Sequence, residues 1–399
     1  MKKVLFVCYG GGHVKMVLPV AKALQDSGAA QVSVLALTTA ASVARASGLH
    51  VLGMKDFLRE ADASALAHGK RLAAGLSGSV LDGAETQAYL GLSFCDLVAD
   101  MGLPQATAAY ASAGRQAFLP VATLKRIIQT LKADLVVATN SPRAERAAIV
   151  AARQLGLPSV CLVDLFALDE YRWIGQANYA DRVCVLNESV REFLLACGRA
   201  PNQVVVTGNP GFDALFDPQA RTAGQSLRNS AGWEGQKLLL YALQDEPAKH
   251  PFSGKPGDPN LPNDLLERLS DWVLAQNDTV LCVRPRPGGA VPVLRQSPKI
   301  RLTGQDWPLP ALLHAADMVV TLNSTVGLEG HLVGARLIQV LGSVFDEAMP
   351  LKQYRIADEA VTIAQLEAAL ERQKHVPRHS MNAMGLATQN VVKVLHSFL

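Results

Sequence analysis

The chain has 399 residues, of which 49% are hydrophobic, so it is long enough to form about two domains with separate cores. Lysine and arginine together number 38 against 35 aspartate and glutamate residues, which leaves a net charge of only +3. Such a weak charge cannot hold a nucleic-acid backbone without local clustering, so the composition disfavours nucleic-acid binding.

The first half of the chain alternates short apolar, β-branched runs with helical patterns, which is typical of parallel βαβ units. The predicted strands are 3–9, 31–38, 50–54, 134–140, 159–164, 182–187 and 203–208. Helices are predicted at 15–27, where Val17, Val20 and Leu24 lie on one apolar stripe, and at 144–155. Residues 56–130 are rich in alanine and prone to form helices, and the sequence does not order their elements.

A second series of strands begins after Pro210. Its predicted members are 237–243, 279–285, 299–304, 318–323, 336–342 and 358–363. Residues 244–262 are dense in proline, glycine and charge, which predicts a long loop of the kind that is often functional. The last segment, 381–399, is predicted to be a helix that returns to the first domain.

These elements predict an α/β protein of two Rossmann-like domains, 1–208 and 209–380, joined near residues 208–218. We expect the carboxyl ends of both sets of strands to face a shared cleft. Because ligands of open parallel sheets bind beyond the carboxyl ends of the strands, the residues that follow each strand are the candidates for chemistry.

Three glycines and a histidine follow the first predicted strand. Gly10, Gly11 and Gly12 allow the backbone to approach a ligand, and the next helix offers free N–H groups to a phosphate or hydroxyl. His13 at this position can deprotonate a hydroxyl near neutral pH. The segment lacks G-x-G-x-x-G spacing and the ending of a P-loop, so a tight strand-to-helix turn remains an alternative.

Two further strand ends carry polar residues. Asn209 follows the strand 203–208, where it could orient a ligand, although Pro210 and Gly211 also fit a simple hinge. Arg284 and Arg286 follow the strand 279–285, and the prolines around them stiffen a fork suited to phosphate oxygens. An exposed turn with solvated arginines is the alternative.

The segment after the strand 318–323 has the strongest binding pattern. Asn323 precedes two hydroxyls, Ser324 and Thr325, at a predicted helix N-cap that can bind phosphate with help from the helix dipole. Glu329, one turn further on, could accept hydrogen bonds from ribose hydroxyls. A plain capping motif would look similar, but it requires neither the glycine nor the acid in this helix.

The compartment is predicted from cysteines and hydropathy. Six scattered cysteines without C-x-x-C spacing are expected to be buried thiols of a reduced compartment. The basic start is followed by too short an apolar run for secretion, and no apolar stretch reaches about 18 residues. We therefore expect a cytoplasmic protein, and peripheral association with the inner face of the membrane stays open.

The arrangement of these motifs resembles the GT-B glycosyltransferase superfamily. The segments "GGGH", "VVVTGNP" and "AADMVVTLNSTVGLEGHLVGARLIQVLG" carry the resemblance over nearly the whole chain. "RPRP" and "NST" are similar to motifs of bacterial capsule and surface-polysaccharide transferases, including enzymes that use CMP-sugars or CDP-glycerol. "VTGNPGFDAL" is similar to a segment of UDP-N-acetylglucosamine 2-epimerases, which share the fold.

The resemblance implies a division of labour between the domains. It implies that the second domain holds a nucleotide-sugar donor carrying UDP, CMP or CDP, with Ser324 and Thr325 toward the phosphates, Arg284 toward phosphates or base, and Glu329 toward ribose. A glycan or lipid-linked acceptor would enter along the first domain. There His13 would remove its proton, oriented by a carboxylate such as Asp164.

Neither a cofactor nor a metal is expected, because helix N-termini and basic side chains usually stabilise the leaving nucleotide in this fold. The chain also shows no D-x-D triplet and no His/Cys cluster at ligand spacing.

Two other functions stay open. An epimerase would act on UDP-N-acetylglucosamine without an acceptor, but the arginine and acid that such enzymes carry after the first strand are missing here, and "NSTVGLEG" contains only one acid where they have two. A partner protein that binds nucleotide-sugar without catalysis would consume no donor. Arg286 stands where transferases of the capsule type often have histidine, so the sequence leaves the base of the donor open.

Overall fold

The structure is a computed structural model of the chain. It describes residues 1–75, 82–250, 253–286, 289, 291–304, 307–372 and 385–399. These residues form two compact units, the first made of Met1–Gly211 with Leu386–Leu399 and the second of Phe212–Gly385. The domain limits stated above stay predictions, and residues 381–384 of the predicted last segment lie outside the described residues.

Within the described residues, the strands in chain order are β1 Lys2–Tyr9, β2 Ala30–Leu37, β3 His50–Leu52, β4 Leu135–Thr139, β5 Ser159–Leu162, β6 Arg182–Val185, β7 Val204–Val206, β8 Lys237–Ala242, β9 Thr279–Arg284, β10 Ile300–Leu302, β11 Met318–Thr321, β12 Arg336–Val340 and β13 Glu359–Val361. Each corresponds to one predicted apolar run, and all but the first end one or two residues early. They end early because the chain leaves the sheet at these positions and enters the loops that carry polar residues.

The α-helices of the described residues are α1 Gly10–Asp26, α2 Ala40–Arg45, α3 Ala63–Ala73, α4 Gly83–Met101, α5 Leu103–Ala113, α6 Val121–Leu131, α7 Ala144–Gln154, α8 Tyr171–Ile174, α9 Glu188–Ala196, α10 Pro218–Ala231, α11 Leu261–Ala275, α12 Leu309–Ala315, α13 Thr325–Val333, α14 Leu366–Glu371 and α15 Ala387–His396. Four of them, α3 to α6, occupy most of the alanine-rich region that the sequence did not order. Within the described chain, no helix is both long and apolar enough to span a bilayer.

The first unit contains a seven-stranded parallel sheet in the order β3-β2-β1-β4-β5-β6-β7. Its strands read as continuous apolar runs because helices cover both faces, and all five residues of β4 are buried. The strand order reverses between β1 and β4, which is where an open parallel sheet forms a crevice at its carboxyl edge.

The second unit contains a six-stranded parallel sheet in the order β10-β9-β8-β11-β12-β13. Here the order reverses between β8 and β11. Helix α11 covers one face, where Leu265 and Leu269 pack against Leu281 and Ile338 of the strands. The two sheets confirm the predicted α/β class with two Rossmann-like units.

Helix α1 packs on the first sheet through the apolar stripe seen in the sequence. Val17, Val20 and Leu24 join Phe6 of β1 in one buried cluster. Helix α15 completes this cluster through residues such as Val391. The last described helix therefore belongs to the core of the first unit.

The predicted start of the first helix was wrong. A loop of glycines was expected before residue 15, but α1 begins at Gly10. Gly10 has a φ of +82°, so the chain turns directly from β1 into the helix at a conformation that glycine tolerates. Gly11, Gly12 and His13 therefore lie on the first turn of α1 rather than in a loop.

Candidate functional site

The first turn of α1 leaves space beside its glycines. Gly11 and Gly12 are exposed. A Cβ at Gly12 would meet no heavy atom within 4 Å, and one at Gly11 would only touch Thr39 Oγ1 at 3.9 Å. Packing therefore requires glycine at neither position, and the backbone N–H groups of this turn are open to a ligand.

One side of the His13 ring contacts the buried end of β4. His13 Nδ1 lies 2.7 Å from the hydroxyl of Thr139, and that hydroxyl donates to Glu145 Oε1 at 3.3 Å. Because the Thr139 proton is directed to Glu145, the hydroxyl oxygen accepts from His13 Nδ1–H. Glu145 is fully buried and its Oε1 lies 3.6 Å from Nδ1, so this ring nitrogen is held in its protonated form.

The other side of the ring faces Asp164. His13 Nε2 lies 3.4 Å from Asp164 Oδ2. The second carboxylate oxygen accepts from Asn140 Nδ2 at 2.8 Å and from the backbone N–H of Leu165 at 2.7 Å, which fixes the carboxylate plane. The Asp164 side chain is 33% exposed, against 21% for His13, so the aspartate is the more accessible member of this pair.

The two carboxylates set the charge of His13. Burial by itself would lower the pKa of His13, but the hydrogen bonds to Asp164 and Glu145 outweigh it and raise the pKa to about 10. Burial opposes ionisation of Asp164 as well, yet the hydrogen bond and charge of His13 hold the pKa of that carboxyl below its usual value. Near neutral pH the pair is an imidazolium beside a carboxylate.

Asn209 holds the backbone at Asp164 in place through hydrogen bonds. It is buried, and its Nδ2 donates to the backbone carbonyl of Asp164 at 2.9 Å while its Oδ1 accepts from the N–H of Gly211 at 2.8 Å. Both ends of the amide are thus bound to the backbone. In this structure Asn209 positions Asp164, and its predicted contact with a ligand stays a prediction.

The polar helix start of the second unit follows β11. Ser324 is the N-cap of α13, and its hydroxyl accepts from the N–H of Val326 at 3.2 Å. Thr325 begins the helix and is exposed. The Ser324 hydroxyl thus already caps the helix, and the N–H groups of Val326 and Gly327 bond to Ser324. The Thr325 side chain is exposed.

Close packing explains the glycines of α13. A Cβ at Gly327 would lie 2.7 Å from Thr321 Cγ2, and one at Gly330 would lie 2.6 Å from Val319 Cγ2. The helix therefore rests directly on β11 at these two positions. The glycines that favoured a binding motif over a plain cap have this packing role.

Arg284 and Glu329 interact in the second unit. Arg284 ends β9 and is half-buried. Burial lowers the pKa of its guanidinium, and the nearby charge of Glu329 opposes that shift. Arg286 is exposed and its guanidinium pairs with Asp245 at 2.5 Å, whereas Arg284 interacts with Glu329. Pro287 of the "RPRP" motif and the following Gly288 lie outside the described residues.

Asn323 belongs to a buried polar network at the point where the second sheet reverses. Its Nδ2 donates to Ser343 Oγ at 2.6 Å, its backbone N–H donates to Gln244 Oε1 at 3.1 Å, and its Oδ1 accepts from Gln244 Nε2. Ser343 in turn donates to Glu246 Oε2 at 2.7 Å. The network joins the carboxyl ends of β8, β11 and β12. Both polar atoms of the Asn323 side-chain amide form hydrogen bonds in it.

The structure gathers the predicted residues into two groups, one in each unit. His13, Asp164 and Asn209 come together beside the reversal of the first sheet. In the second unit, Arg284 and the segment from Asn323 to Glu329 follow strands that flank β8.

Several polar residues of these groups were missed in the sequence. Thr139 and Asn140 stand at the end of a predicted strand, and Gln244 follows another, so the rule that selected Asp164 also points to them. Glu145 carries no such signal, because it looks like an ordinary acid in the first turn of a helix.

Two cavities lie at the other edge of the sheets. One of about 170 Å³ is lined by Lys3, Ser33 and His50, and one of about 400 Å³ is lined by Lys237, Trp272 and Arg336. Both are at the amino ends of strands, away from the carboxyl ends that carry the candidate residues. They are therefore separate from the candidate site.

Comparison with solved structures identifies the fold. The UDP-GlcNAc 2-epimerase of Methanocaldococcus jannaschii matches with a TM-score of 0.59 and 12% identity, over 100% of both chains. S. aureus MnaA in complex with UDP matches with a TM-score of 0.59 and 13% identity, over 100% of this chain and 98% of that one. The calicheamicin glycosyltransferase CalG4 has a TM-score of 0.59 and 15% identity, over 100% and 98%.

Comparisons by sequence give a different result, since no protein-family model and no curated protein sequence matches the chain. At these low identities, the structural matches define the fold alone. The chain has the GT-B type of fold, with two Rossmann-like units, as the resemblance in sequence implied.

Proposed function

We propose that the protein is a glycosyltransferase that moves a sugar, or a sugar-like group, from a nucleotide-activated donor to the hydroxyl of an acceptor. The observation that carries this proposal is the pair of His13 Nε2 and Asp164 Oδ2, 3.4 Å apart at the reversal of the first sheet. A partly exposed carboxylate held against an imidazolium is suited to receive a proton from an attacking hydroxyl.

The roles of the pair follow from its charge. Because both ring nitrogens of His13 carry protons near neutral pH, the group that accepts the proton of the hydroxyl is Asp164 or the pair acting together. The pair therefore replaces the isolated neutral histidine as the proposed base. Thr139 and Glu145 keep the ring in place while the proton moves.

In this proposal the second unit binds the nucleotide. The start of α13 presents the exposed hydroxyl of Thr325 and the positive end of the helix dipole to the phosphates, and Ser324 holds this turn in shape. Arg284 supplies a positive charge from the end of β9, and Glu329 accepts hydrogen bonds from ribose. The proposed contacts need neither metal nor cofactor, because fixed donors and a guanidinium stabilise the leaving nucleotide.

The reaction is a displacement at the anomeric carbon. The acceptor oxygen forms a bond to that carbon while the bond to the nucleotide oxygen breaks, and the electron pair leaves with the nucleotide. The proton of the hydroxyl passes to the pair of His13 and Asp164. From the resemblance in sequence, we propose a UDP, CMP or CDP donor and a glycan or lipid-linked acceptor of bacterial surface-polysaccharide synthesis, on the cytoplasmic side of the membrane.

A second candidate is an enzyme of the UDP-N-acetylglucosamine 2-epimerase type. The observation that favours it is that epimerases and glycosyltransferases match the fold with the same TM-score of 0.59. Two carboxylates on one histidine also suit a reaction that removes and returns a proton. The missing arginine and acid after β1 count against it.

The test begins with nucleotide binding. We expect one of CMP, CDP, UDP and GDP to raise the unfolding temperature of the full chain selectively, because a ligand stabilises the state that binds it. Arg284→Gln should weaken that nucleotide about tenfold or more, since a charged hydrogen bond is lost. Arg221→Gln, at an exposed position of α10, is the matched control.

Donor consumption then separates the functions. A transferase consumes the corresponding nucleotide-sugar in the presence of an acceptor and forms a new glycoside. Product from UDP-N-acetylglucosamine without any acceptor would instead establish the epimerase. Nucleotide binding without consumption under any acceptor would make the protein a non-catalytic partner, and absence of nucleotide binding would refute the proposal as a whole.

A further inference from the structure

We propose that the first unit binds an oxyanion, a phosphate or carboxylate group carried by the acceptor, through Arg115 and Arg143 on either side of Tyr9. This inference rests on the proposed function for the identity of the ligand as an acceptor, whereas the anion site itself is argued from the first unit alone. It assigns the acceptor to the chemical class of anionic molecules.

Arg143 carries a charge that no carboxylate of the described residues neutralises in an ion pair. Its guanidinium carbon lies 4.5 Å from the centre of the Tyr9 ring, and its Nε is shielded from solvent and has no hydrogen-bond acceptor in the described part of the chain. Within the described chain it forms no ion pair. A guanidinium that is partly withdrawn from water and lacks an acceptor favours the approach of an anion.

Arg115 adds a second charge to the same aromatic side chain. It is exposed, and its guanidinium donates to the Tyr9 hydroxyl at 3.3 Å. It too lacks a carboxylate partner in the part of the chain that the structure describes. The two guanidinium groups thus flank one phenol, Arg143 at the ring face and Arg115 at the hydroxyl, and both keep donors free for oxygen atoms.

Tyr89 provides independent support for a ligand at this place. It is only 4% exposed, and its hydroxyl has no hydrogen-bond partner among the described residues. Its ring centre lies 6.0 Å from that of Tyr9. A buried hydroxyl without a partner is costly, and an oxygen atom of a ligand would satisfy it.

The charges of both arginines act on this hydroxyl. Burial raises the pKa of Tyr89, so the hydroxyl remains a donor, while the charges of Arg143 and Arg115 oppose the shift because they lie close to it. Tyr9 and Glu145 add to the increase. Glu145 is a negative group nearby, and its Oε2 has no hydrogen-bond partner among the described residues. Its charge is paired with that of the His13 imidazolium, whose Nδ1 lies 3.6 Å from Oε1.

The anion site lies close to His13 along the chain. Tyr9 is the residue before Gly10, where α1 begins, and His13 lies on the first turn of that helix. An acceptor whose anionic group binds at Tyr9 therefore has its remaining atoms beside the exposed turn of Gly11 and Gly12. This arrangement allows the anion to anchor the acceptor while its hydroxyl reaches the pair of His13 and Asp164.

The test is a calorimetric titration of the full chain with inorganic phosphate and, separately, with acetate, at constant ionic strength. We expect at least one anion to bind, and the preferred one tells a phosphoryl acceptor from a carboxylate acceptor. Arg115→Gln and Arg143→Gln should each weaken binding about tenfold or more, because a charge-assisted hydrogen bond is lost. Arg221→Gln, exposed on α10, should leave it unchanged.

Two milder variants keep the test informative if a glutamine variant fails to fold. Arg143→Lys keeps the charge but removes the planar fork, and Tyr89→Phe removes only the hydroxyl that lacks a partner. Both should weaken anion binding, and Tyr89→Phe should not lower the unfolding temperature, since the Tyr89 hydroxyl has no hydrogen bond to lose among the described residues.

The outcomes separate this inference from the proposed function. If neither anion binds, or if binding survives in Arg143→Gln and Arg115→Gln, the anion site is refuted. Loss of phosphate binding in Arg284→Gln instead would place the phosphate in the second unit and also refute it. Nucleotide binding is measured on the same variants. Its loss in Arg284→Gln but not in Arg143→Gln would support the proposed function independently of the anion site.

Discussion

The surroundings of His13 differ strongly from those of a free side chain. Two carboxylates from different segments of the first unit hold its ring, Asp164 after β5 at Nε2 and Glu145 of α7 at Nδ1 through Thr139. Removing a buried carboxylate such as Glu145 from water is costly, and the imidazolium offsets that cost. The charge of His13 thus stabilises the carboxyl edge of the first sheet, and the proposed chemistry also depends on it.

This charge predicts a dependence of stability on pH. The pKa of His13 rises from about 6.5 in the unfolded chain to about 10 in the folded protein, so between these values the folded state binds one more proton. The free energy of unfolding should therefore fall as pH rises from 7 to 10, by at most about 1.4 kcal/mol per pH unit from this group. Urea unfolding at a series of pH values measures the slope.

The matched variant for this measurement is His13→Gln, which keeps a polar side chain but cannot titrate. The difference in unfolding free energy between wild type and variant should be largest near pH 7 and shrink toward pH 10. A difference that stays constant over this range would show that His13 is not charged in the folded protein.

The glycines at the start of α1 have different physical requirements. Gly10→Ala should lower the free energy of unfolding by about 1 to 2 kcal/mol, because a φ of +82° brings Cβ against the backbone. Gly12→Ala should leave it unchanged or raise it slightly, because the added methyl group meets only open space and alanine favours the helix. Thermal or urea unfolding of both variants tests the contrast, and equal losses would contradict it.

Among the helices, α13 is packed unusually closely on its sheet at one end of the proposed nucleotide site. Its first turn faces outward with Thr325, while Gly327 and Gly330 let the backbone rest on β11. The buried network of Asn323 and Gln244 holds the chain just before the helix. The helix start is therefore rigid before any ligand arrives, which favours electrostatic stabilisation of a leaving group.

Close packing makes Gly330 sensitive to substitution. Gly330→Ala would bring a methyl group within 2.6 Å of Val319 Cγ2, so the helix or the strand must shift. We expect the free energy of unfolding to fall by about 1 to 3 kcal/mol, in the range of overpacked cores. Denaturant unfolding measures this loss, and Gly12→Ala is a control that adds the same methyl group to a helix without a contact. No loss at Gly330 would mean that α13 lies further from β11.

Considered as a whole, the molecule assigns the two halves of the proposed reaction to two compact units. The pair of His13 and Asp164 lies in Met1–Gly211, and Arg284 and Ser324 lie in Phe212–Gly385. Each group is built from contacts within its own unit. Proton transfer and nucleotide binding should therefore be separable by mutation.

His13→Ala should reduce turnover of the donor about 100-fold to 10,000-fold, the usual contribution of positioned groups that transfer a proton, because it breaks the pair of His13 and Asp164, while nucleotide affinity stays unchanged. Arg284→Gln should do the reverse and weaken the nucleotide first. Parallel assays of donor consumption and nucleotide titration measure both variants. Full turnover by His13→Ala would show that the reaction does not need His13, and the same assay on Asp164→Asn would then test the carboxylate.

Much of this fold can be predicted from local patterns. Strands β1, β4 and β8 are buried on both faces, so their consecutive residues are apolar. Such a run can be recognised in the sequence without knowing which strands lie beside it. His13 and Asp164 were found by the rule that ligands bind beyond strand ends, since each follows such a run. The helical start at Gly10 was missed because a positive φ depends on the turn and leaves no periodic signal.

The partners of these residues depended on how the strands are ordered in space. Thr139 reaches His13 across 126 positions of the chain only because β4 lies next to β1, and Arg115 reaches Tyr9 across 106. Burial and hydrophobic periodicity are properties of neighbouring residues and can be read along the chain. The charge of His13, its hydrogen-bond partners and the position of Arg115 and Arg143 depend on segments that are far apart in the sequence. They are determined only when the sheet brings those segments together.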